Sequence, residues 1–335
     1  MAVWTKEPQK RGEIITVAID KGCRYQLYTV GATLLQWQHR DGTELVVRYK
    51  DLDMVGSGGQ YLGAFIGPTA GRIEGSRFRL DGKDFVIQEG KKHFLHGGKN
   101  GWHNVVFDVA SIEAKNDGVT VVLKTRQSHD VIPGTVDLTI THVFTRSGYA
   151  LSFDAVTDQP TLLNVTTHGY YSLLGHFEHD LTDHVLELDA TRVIEVDDEI
   201  IGRRILNVAG TPFDFRTPRP MVQAIRDENL LAQGAKGLDH CFLLDHQKPY
   251  QLRLSSPKTN KVLEVKTTYP GLTLYSTNYP KSDVIQNGRT LALNGALAIE
   301  PQYPSNGIND PRFHDLVLRP GKPYHHEIVM IVKEV

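Results

Sequence analysis

Apolar and polar residues alternate along much of the chain with a period of two. Val136, Leu138 and Ile140 interleave with Asp137, Thr139 and Thr141; Leu151, Phe153 and Ala155 interleave with Ser152, Asp154 and Val156. That period sets one face of a strand on a core and leaves the other half-solvated. Short apolar runs recur at 119–123, 185–188 and 328–332. Turn residues punctuate them: Asp41-Gly42, Asp81-Gly82, Asn116-Asp117-Gly118 and Ser147-Gly148. Asp-Gly adopts positive φ readily, so residues 76–88 (SRFRLDGKDFVIQ) are expected to form a tight hairpin. A helical period shows only over Pro218–Gln233, with Met221, Val222, Ile225, Leu230 and Leu231 roughly on one face. Pro near its start and Gly234 beyond its end mark one short helix. No Gly/Ser/Pro linker and no fixed repeat divides the chain. The expectation is all-β: a single large antiparallel β-sandwich domain over residues 1–335.

Composition narrows the function classes. The chain has 335 residues, with Lys plus Arg at 37 and Asp plus Glu at 39, a net charge of −2. Near-neutrality excludes general attraction to nucleic acid or to an anionic membrane. Two cysteines, Cys23 and Cys241, are too few for a disulfide scaffold or a zinc–cysteine cluster. No apolar stretch approaches the length of a membrane span, and Met1–Gly12 lacks the apolar region of a signal peptide. A soluble cytoplasmic protein is expected, a monomer or homodimer with reduced thiols.

Five polar constellations carry the candidate chemistry. Gly67-Pro68-Thr69-Ala70-Gly71-Arg72-Ile73 offers glycines for close backbone approach and the donor fork of Arg72; a surface ion pair is the plainer reading of that arginine. His93-Phe94-Leu95-His96-Gly97-Gly98, with Trp102 and His103 close behind, groups three histidines within 11 residues. No acidic partner stands at ligand spacing, so no metal is expected, and His96 reads as an exposed polar handle beside an approachable backbone. Trp102 is either a sugar-facing ring or plain core. In Asn164–Leu173, alternation sets Thr166, His168 and Tyr170 on one strand face. Asp239, in Gly-Leu-Asp-His-Cys-Phe, is either a turn residue or an acceptor for two sugar hydroxyls. Leu297-Ala298-Ile299-Glu300-Pro301 delivers a lone carboxylate on an apolar run. Burying it is costly unless it is paired or used, and burial moves its pKa towards working pH, so Glu300 is the best general-base candidate; a buried ion pair with an arginine is the alternative.

Taken together, these segments resemble the aldose 1-epimerases, the galactose mutarotase-like proteins. GPTAGRIEGSRFRLDGK from residue 67, LHGG at 95–98, Thr-His-Gly-Tyr-Tyr at 167–171, GTPFDFR at 210–216, GLDHCF at 237–242 and IEPQYP at 299–304 occur in that family's order. The resemblance runs from about residue 14 to the C-terminus. It implies a large β-sandwich with a sugar cleft, and interconversion of the α and β anomers of free aldoses such as glucose or galactose without cofactor or metal. By motif position it makes Glu300 the general base, His168 the general acid, Arg72, His96 and Asp239 the hydroxyl binders, and Tyr275 an aromatic near the sugar. The chain departs from the family pattern at Thr167, Gly169 and Ser305 and just before LHGG, changes that flank the cleft and bear on substrate choice.

Mutarotation on these residues needs one base to take the anomeric proton and one acid to protonate the ring oxygen, with roles reversed on closure. The expected starting state is an ionised Glu300 and a protonated His168. Three alternatives remain. A hexose-6-phosphate 1-epimerase needs cations beyond Arg72 at the cleft. A glycoside hydrolase needs a second carboxylate opposite Glu300, for which Asp239 is the candidate. A non-catalytic carbohydrate-binding β-sandwich needs no acid–base pair.

Overall fold

A computed structural model describes residues 1–115, 117–313 and 316–335; Asn116, in one predicted turn, lies outside them. The alternating segments form the largest sheet. Its nine strands run in the order Asp108–Lys115, Gly118–Ser128, Thr135–Thr145, Gly148–Thr157, Tyr324–Glu334, Lys261–Thr267, Leu252–Ser256, Val185–Leu188 and Arg219–Pro220. Pairing between Gly118–Ser128 and Thr135–Thr145 is unbroken, with Val119 opposite Phe144 and Leu123 opposite Ile140. Slipping that register by one residue would turn the apolar set to solvent, so the alternation itself fixes it. The strand Tyr324–Glu334 lies mid-sheet and gives Tyr324, Ile328, Met330 and Val332 to the core.

Two further sheets complete the sandwich. Ala2–Pro8, Glu13–Ile19, Arg24–Tyr28 and Thr33–Gln38 form an antiparallel meander. A six-stranded sheet, the cleft sheet, has the order Gly169–Tyr171, Leu297–Gln302, Gly271–Tyr275, Asp239–Leu243, Arg192–Val196 and Gly202–Asn207. One apolar core draws on strands from Ala2 to Val332. Tyr25, Trp37, Phe144, Tyr149 and Tyr171 join the three sheets, with Tyr25–Phe144 ring centroids 4.8 Å apart and Trp37–Tyr149 edge-on at 5.1 Å. Such pairs add about 0.5–1.5 kcal/mol each beyond the area they bury. The Tyr149 and Tyr171 hydroxyls bond each other at 2.9 Å, which satisfies both in the core.

The hairpin forms as expected. Arg77–Leu80 pairs with Lys83–Val86, and Asp81 and Gly82 both take positive φ (48° and 80°), the geometry of a type I′ turn. The single helix does not. Val222–Ile225 and Glu228–Ala232 are separate short helices, because the Asp227 side chain accepts from Asn229 and Leu230 N–H and starts a second helix. Met221, Ile225 and Leu230 are buried, but Leu231 faces solvent. Among the described residues no helix is long and apolar enough to cross a membrane.

Candidate active site

Strand register brings the candidate residues together. Across the cleft sheet, Tyr170 lies opposite Ala298, Ala298 opposite Tyr275, and Tyr275 opposite Asp239. One step along, Glu300 lies opposite Thr273, and Thr273 opposite Cys241. Side chains on one strand face recur every second residue, so these two rows share a surface. That surface floors a cleft of about 240 Å³, whose walls include Arg72, His96, His168, Tyr61, Gln302 and Ser305. Glu300, His168, Arg72, His96, Asp239 and Tyr275 all line it.

His168 sits between two short strands rather than within one. Thr166–Thr167 pairs with Phe65–Ile66, and Gly169–Tyr171 pairs with Leu297–Gln302. The His168 backbone donates to Ala64 O at 2.8 Å and its carbonyl accepts from Gly63 N–H at 3.0 Å. The expected single face therefore breaks at this residue. Tyr170 stays with His168, its ring 5.0 Å from the imidazole, while the Thr166 hydroxyl turns away to donate to Pro301 O. His168 Nε2 lies 3.4 Å from Glu300 Oε1, and both side chains are almost fully buried. The partner of Glu300 is thus a histidine and not an arginine.

Burial acts against both ionised forms. It raises Glu300 well above the usual carboxylate range; the Asp239 charge adds to the rise and Arg72 opposes it. Burial lowers His168 to about 3. The resting, sugar-free pair is therefore held neutral, with the proton on Glu300, so the carboxylate–imidazolium start expected for the reaction has to arise on sugar binding. Among the described residues Glu300 Oε2 and Gln302 Oε1 are buried without hydrogen-bond partners, open positions for hydroxyl donors.

Arg72 makes an ion pair, as the plainer reading had it, but in the cleft: Nη1 is 3.8 Å from Asp239 Oδ2. Burial raises the Asp239 carboxyl and Arg72 pulls it back down. At that distance both groups keep hydrogen-bonding capacity for a ligand. His96 is buried rather than an exposed handle, and its Nδ1 accepts from Gly71 N–H at 3.2 Å. Burial first, then His168, Arg72 and His103, hold it neutral. Its proton then sits on Nε2, making that nitrogen a donor. The Tyr275 hydroxyl accepts from Tyr279 N–H at 2.9 Å, which fixes the ring at the cleft wall.

The histidine cluster read from the sequence does not converge. His93 Nδ1 accepts from Gly75 N–H and its Nε2 faces Glu199 at 3.4 Å. His103 is buried against Tyr61. Trp102 is plain core, fully buried and stacked 6.3 Å from Phe65. A different trio, His96, His168 and Glu300, brings one ligand-type atom each within 4.8 Å. The tautomer of His96 aims an N–H, not a lone pair, from its free nitrogen, so these donors suit hydroxyl groups better than a cation. In the second such trio, His39, Asp41 and Glu334, the carboxylates already hold Lys261 and Arg40.

Tyr61, Thr273 and Gln302 went unnoticed in the sequence. Gln302 follows Glu300 by two residues, so strand period alone would have found it. Tyr61 comes from an irregular loop that leaves no periodic trace.

The family profile described as Aldose 1-epimerase matches residues 13–330. The chain belongs to the aldose 1-epimerase family. An aldose 1-epimerase from Haemophilus influenzae is 31% identical over 314 residues, covering 90% of each chain. Human galactose mutarotase is 28% identical over 301 residues, covering 88% of this chain and 86% of that one. A crystal structure of an aldose epimerase homologue from C. elegans superposes with a TM-score of 0.84 at 28% identity, over the whole of both chains. As a member of this family the protein is an isomerase acting on aldose anomers, and its all-β sandwich is the galactose mutarotase-like fold.

Proposed function

We propose that this cleft interconverts the α and β anomers of a free aldose, with Glu300 and His168 handling one proton between them. The observation that carries the reading is the buried 3.4 Å approach of His168 Nε2 to Glu300 Oε1. Sugar hydroxyls donating to the Glu300 carboxylate stabilise its ionised form, and Arg72 acts in the same direction. The proton then moves to His168. Glu300 takes the proton of the anomeric hydroxyl as His168 Nε2 protonates the ring oxygen, and the C1–O5 bond opens to the aldehyde. Rotation about C1–C2 presents the other face of the carbonyl. On closure Glu300 returns a proton to O1 and His168 takes one back from O5, so the pair ends as it began. Arg72, Asp239 and the His96 Nε2–H hold the remaining hydroxyls, so that the open aldehyde stays in place to reclose. The two thiols are free and buried, which supports a reducing, cytoplasmic setting.

Polarimetry of freshly dissolved α-glucose, α-galactose and maltose tests the reading. Approach to the equilibrium rotation should be faster with protein for at least one sugar. Rates equal to the uncatalysed ones for all three would contradict it.

One observation favours a second substrate class, the hexose 6-phosphates. Lys281 also lines the cleft, and its Nζ lies 2.0 Å from where a Cβ on Gly59 would stand, so the missing side chain makes room for the ammonium. Among the described residues no carboxylate pairs with it. Glucose 6-phosphate with a kcat/KM above that of glucose would favour this class, and the reverse order would reject it.

A further inference from the structure

Tyr61 stands at the centre of the cleft's imidazoles. Its ring centroid is 4.9 Å from His96, 4.9 Å from His103 and 5.9 Å from His168. The first two contacts are edge-on at 62° and 87°, so the tyrosine ring bounds two imidazoles on their sides. His96 and His168 in turn meet edge-on at 5.2 Å. Removing the ring would take away one wall of these imidazoles, leaving His96 to its bond from Gly71 N–H and His168 to its contacts with Glu300 and Tyr170.

The backbone at this point is bent to bring the ring there. Tyr61 has φ +55°, a left-handed conformation that a bulky residue avoids. His96 shares the peculiarity at φ +52°. Strain of this kind persists only where surrounding structure enforces it, and it gathers at functional sites. Here the enforcing structure is visible. Ala64 N–H donates to Tyr61 O at 3.0 Å, and the same loop bonds both sides of the His168 backbone through Gly63 and Ala64. The loop that presents Tyr61 is therefore the loop that fixes His168.

The hydroxyl points to a second role. It makes no hydrogen bond to any described residue, although Tyr61 lines the cleft. Burial raises its pKa, the Glu89 charge adds to the rise and Arg72 opposes it, which places the phenol in the field of the cleft arginine. A neutral phenol at the cleft wall is a donor and acceptor of the kind a sugar hydroxyl takes.

We infer that Tyr61 is a positioning and substrate-contacting residue. Its ring holds His96 and His168 in their working orientation, and its hydroxyl bonds a hydroxyl of the bound sugar. This rests on the mutarotase reading above.

Two variants separate the halves. Tyr61→Phe keeps the ring and loses the hydroxyl. One hydrogen bond corresponds to about 2- to 12-fold in affinity, so KM should rise by that factor while kcat stays within about twofold. Tyr61→Asn loses the ring while relieving the backbone, because Asn accepts positive φ. It should fold with a Tm at or near that of wild type, yet lose kcat by about tenfold or more, since small misplacements at a reacting centre are costly. Its pH–rate profile should shift as the loosened imidazoles gain water. Imidazole ¹⁵N spectra of the sugar-free protein give a readout independent of activity. The His96 and His168 signals should move in Tyr61→Asn and stay in Tyr61→Phe. A folded Tyr61→Asn protein with unshifted signals, or with wild-type kcat and pH profile, would overturn the positioning role. Unchanged KM in Tyr61→Phe would overturn the sugar contact. A wild-type protein inactive on every sugar would instead count against the mutarotase reading, and the spectra would still decide the positioning role.

Discussion

Glu300 shows how far single residues could be read. Its carboxylate ends an apolar run, and that run is a strand buried along its whole length, so the cost of burying the charge pointed to its use. Asp239 was ambiguous between a turn and a ligand because both readings place an Asp after Gly. Only its register opposite Tyr275 and its approach to Arg72 put it in the cleft. The resting protonation of the central pair was not legible, because pKa depends on burial that no spacing reveals. At this scale the hydroxyl binders are testable. Arg72→Ala and Asp239→Ala each remove charge-assisted hydrogen bonds worth about 1.5–3 kcal/mol. Each should lower kcat/KM by about 10- to 150-fold. Because the two form one ion pair, losing one leaves the other's charge uncompensated, and the double variant should lose less than the product of the single losses. Unchanged kinetics in both single variants would show that the cleft has been placed wrongly.

At the scale of elements, alternation located the long strands and Asp-Gly located the hairpin, since both are local signals. The single helix expected over Pro218–Gln233 was misread for an equally local reason. Asp227 is acceptable inside a periodic pattern but prefers to cap, and its side chain chose the cap. The loops around the cleft had no such signature; their positions come from long-range bonds such as Gly71 N–H to His96 and Trp102 N–H to Gly67 O. Gly71 illustrates the constraint. It has φ +75°, and a Cβ there would stand 1.8 Å from Ser305 Oγ. Ser305, one of the departures from the family pattern, accepts from Gln302 Nε2 at 3.1 Å, so the loop and the strand bearing Glu300 meet here. Gly71→Ala should cost about 1–3 kcal/mol in stability and weaken sugar saturation. Adding Ser305→Gly should restore the part due to the clash and leave the part due to φ. A Gly71→Ala protein of wild-type Tm and KM would show that the loop yields freely.

Across the whole molecule, the largest apolar cluster draws on strands from Ala2 to Val332. The order of its sheets was not legible, because strand alternation says which face is buried and not which strand is next. The abundance of histidine was legible, and its consequence lies in the core. His142 is fully buried between Val121 and Leu151 on the adjoining strands, neither ring nitrogen having a hydrogen-bond partner among the described residues, and burial lowers it to about 3. Burial lowers His184 and His240 to about 4. Each of these groups binds a proton more readily unfolded, near its usual pKa of about 6.5. Stability is therefore complete above that pH and is lost as pH falls towards about 3–4. Urea midpoints should decline from pH 6.5 to 4, and His142→Leu should flatten the decline and raise the midpoint at low pH. Parallel curves for wild type and His142→Leu would contradict this.

The most direct test of the central claim is the mutarotation rate of Glu300→Gln and His168→Gln, each checked for folding by circular dichroism. Gln keeps the shape of Glu300 but takes no proton, and at position 168 it can bond the ring oxygen but not deliver a proton from an imidazolium. Positioned proton transfer contributes about 10²–10⁴-fold, so each folded variant should lose at least about 10²-fold in kcat. The double variant should be little worse than the worse single one, because acid and base act as a unit. Folded single variants that turn over at nearly the wild-type rate would contradict the account.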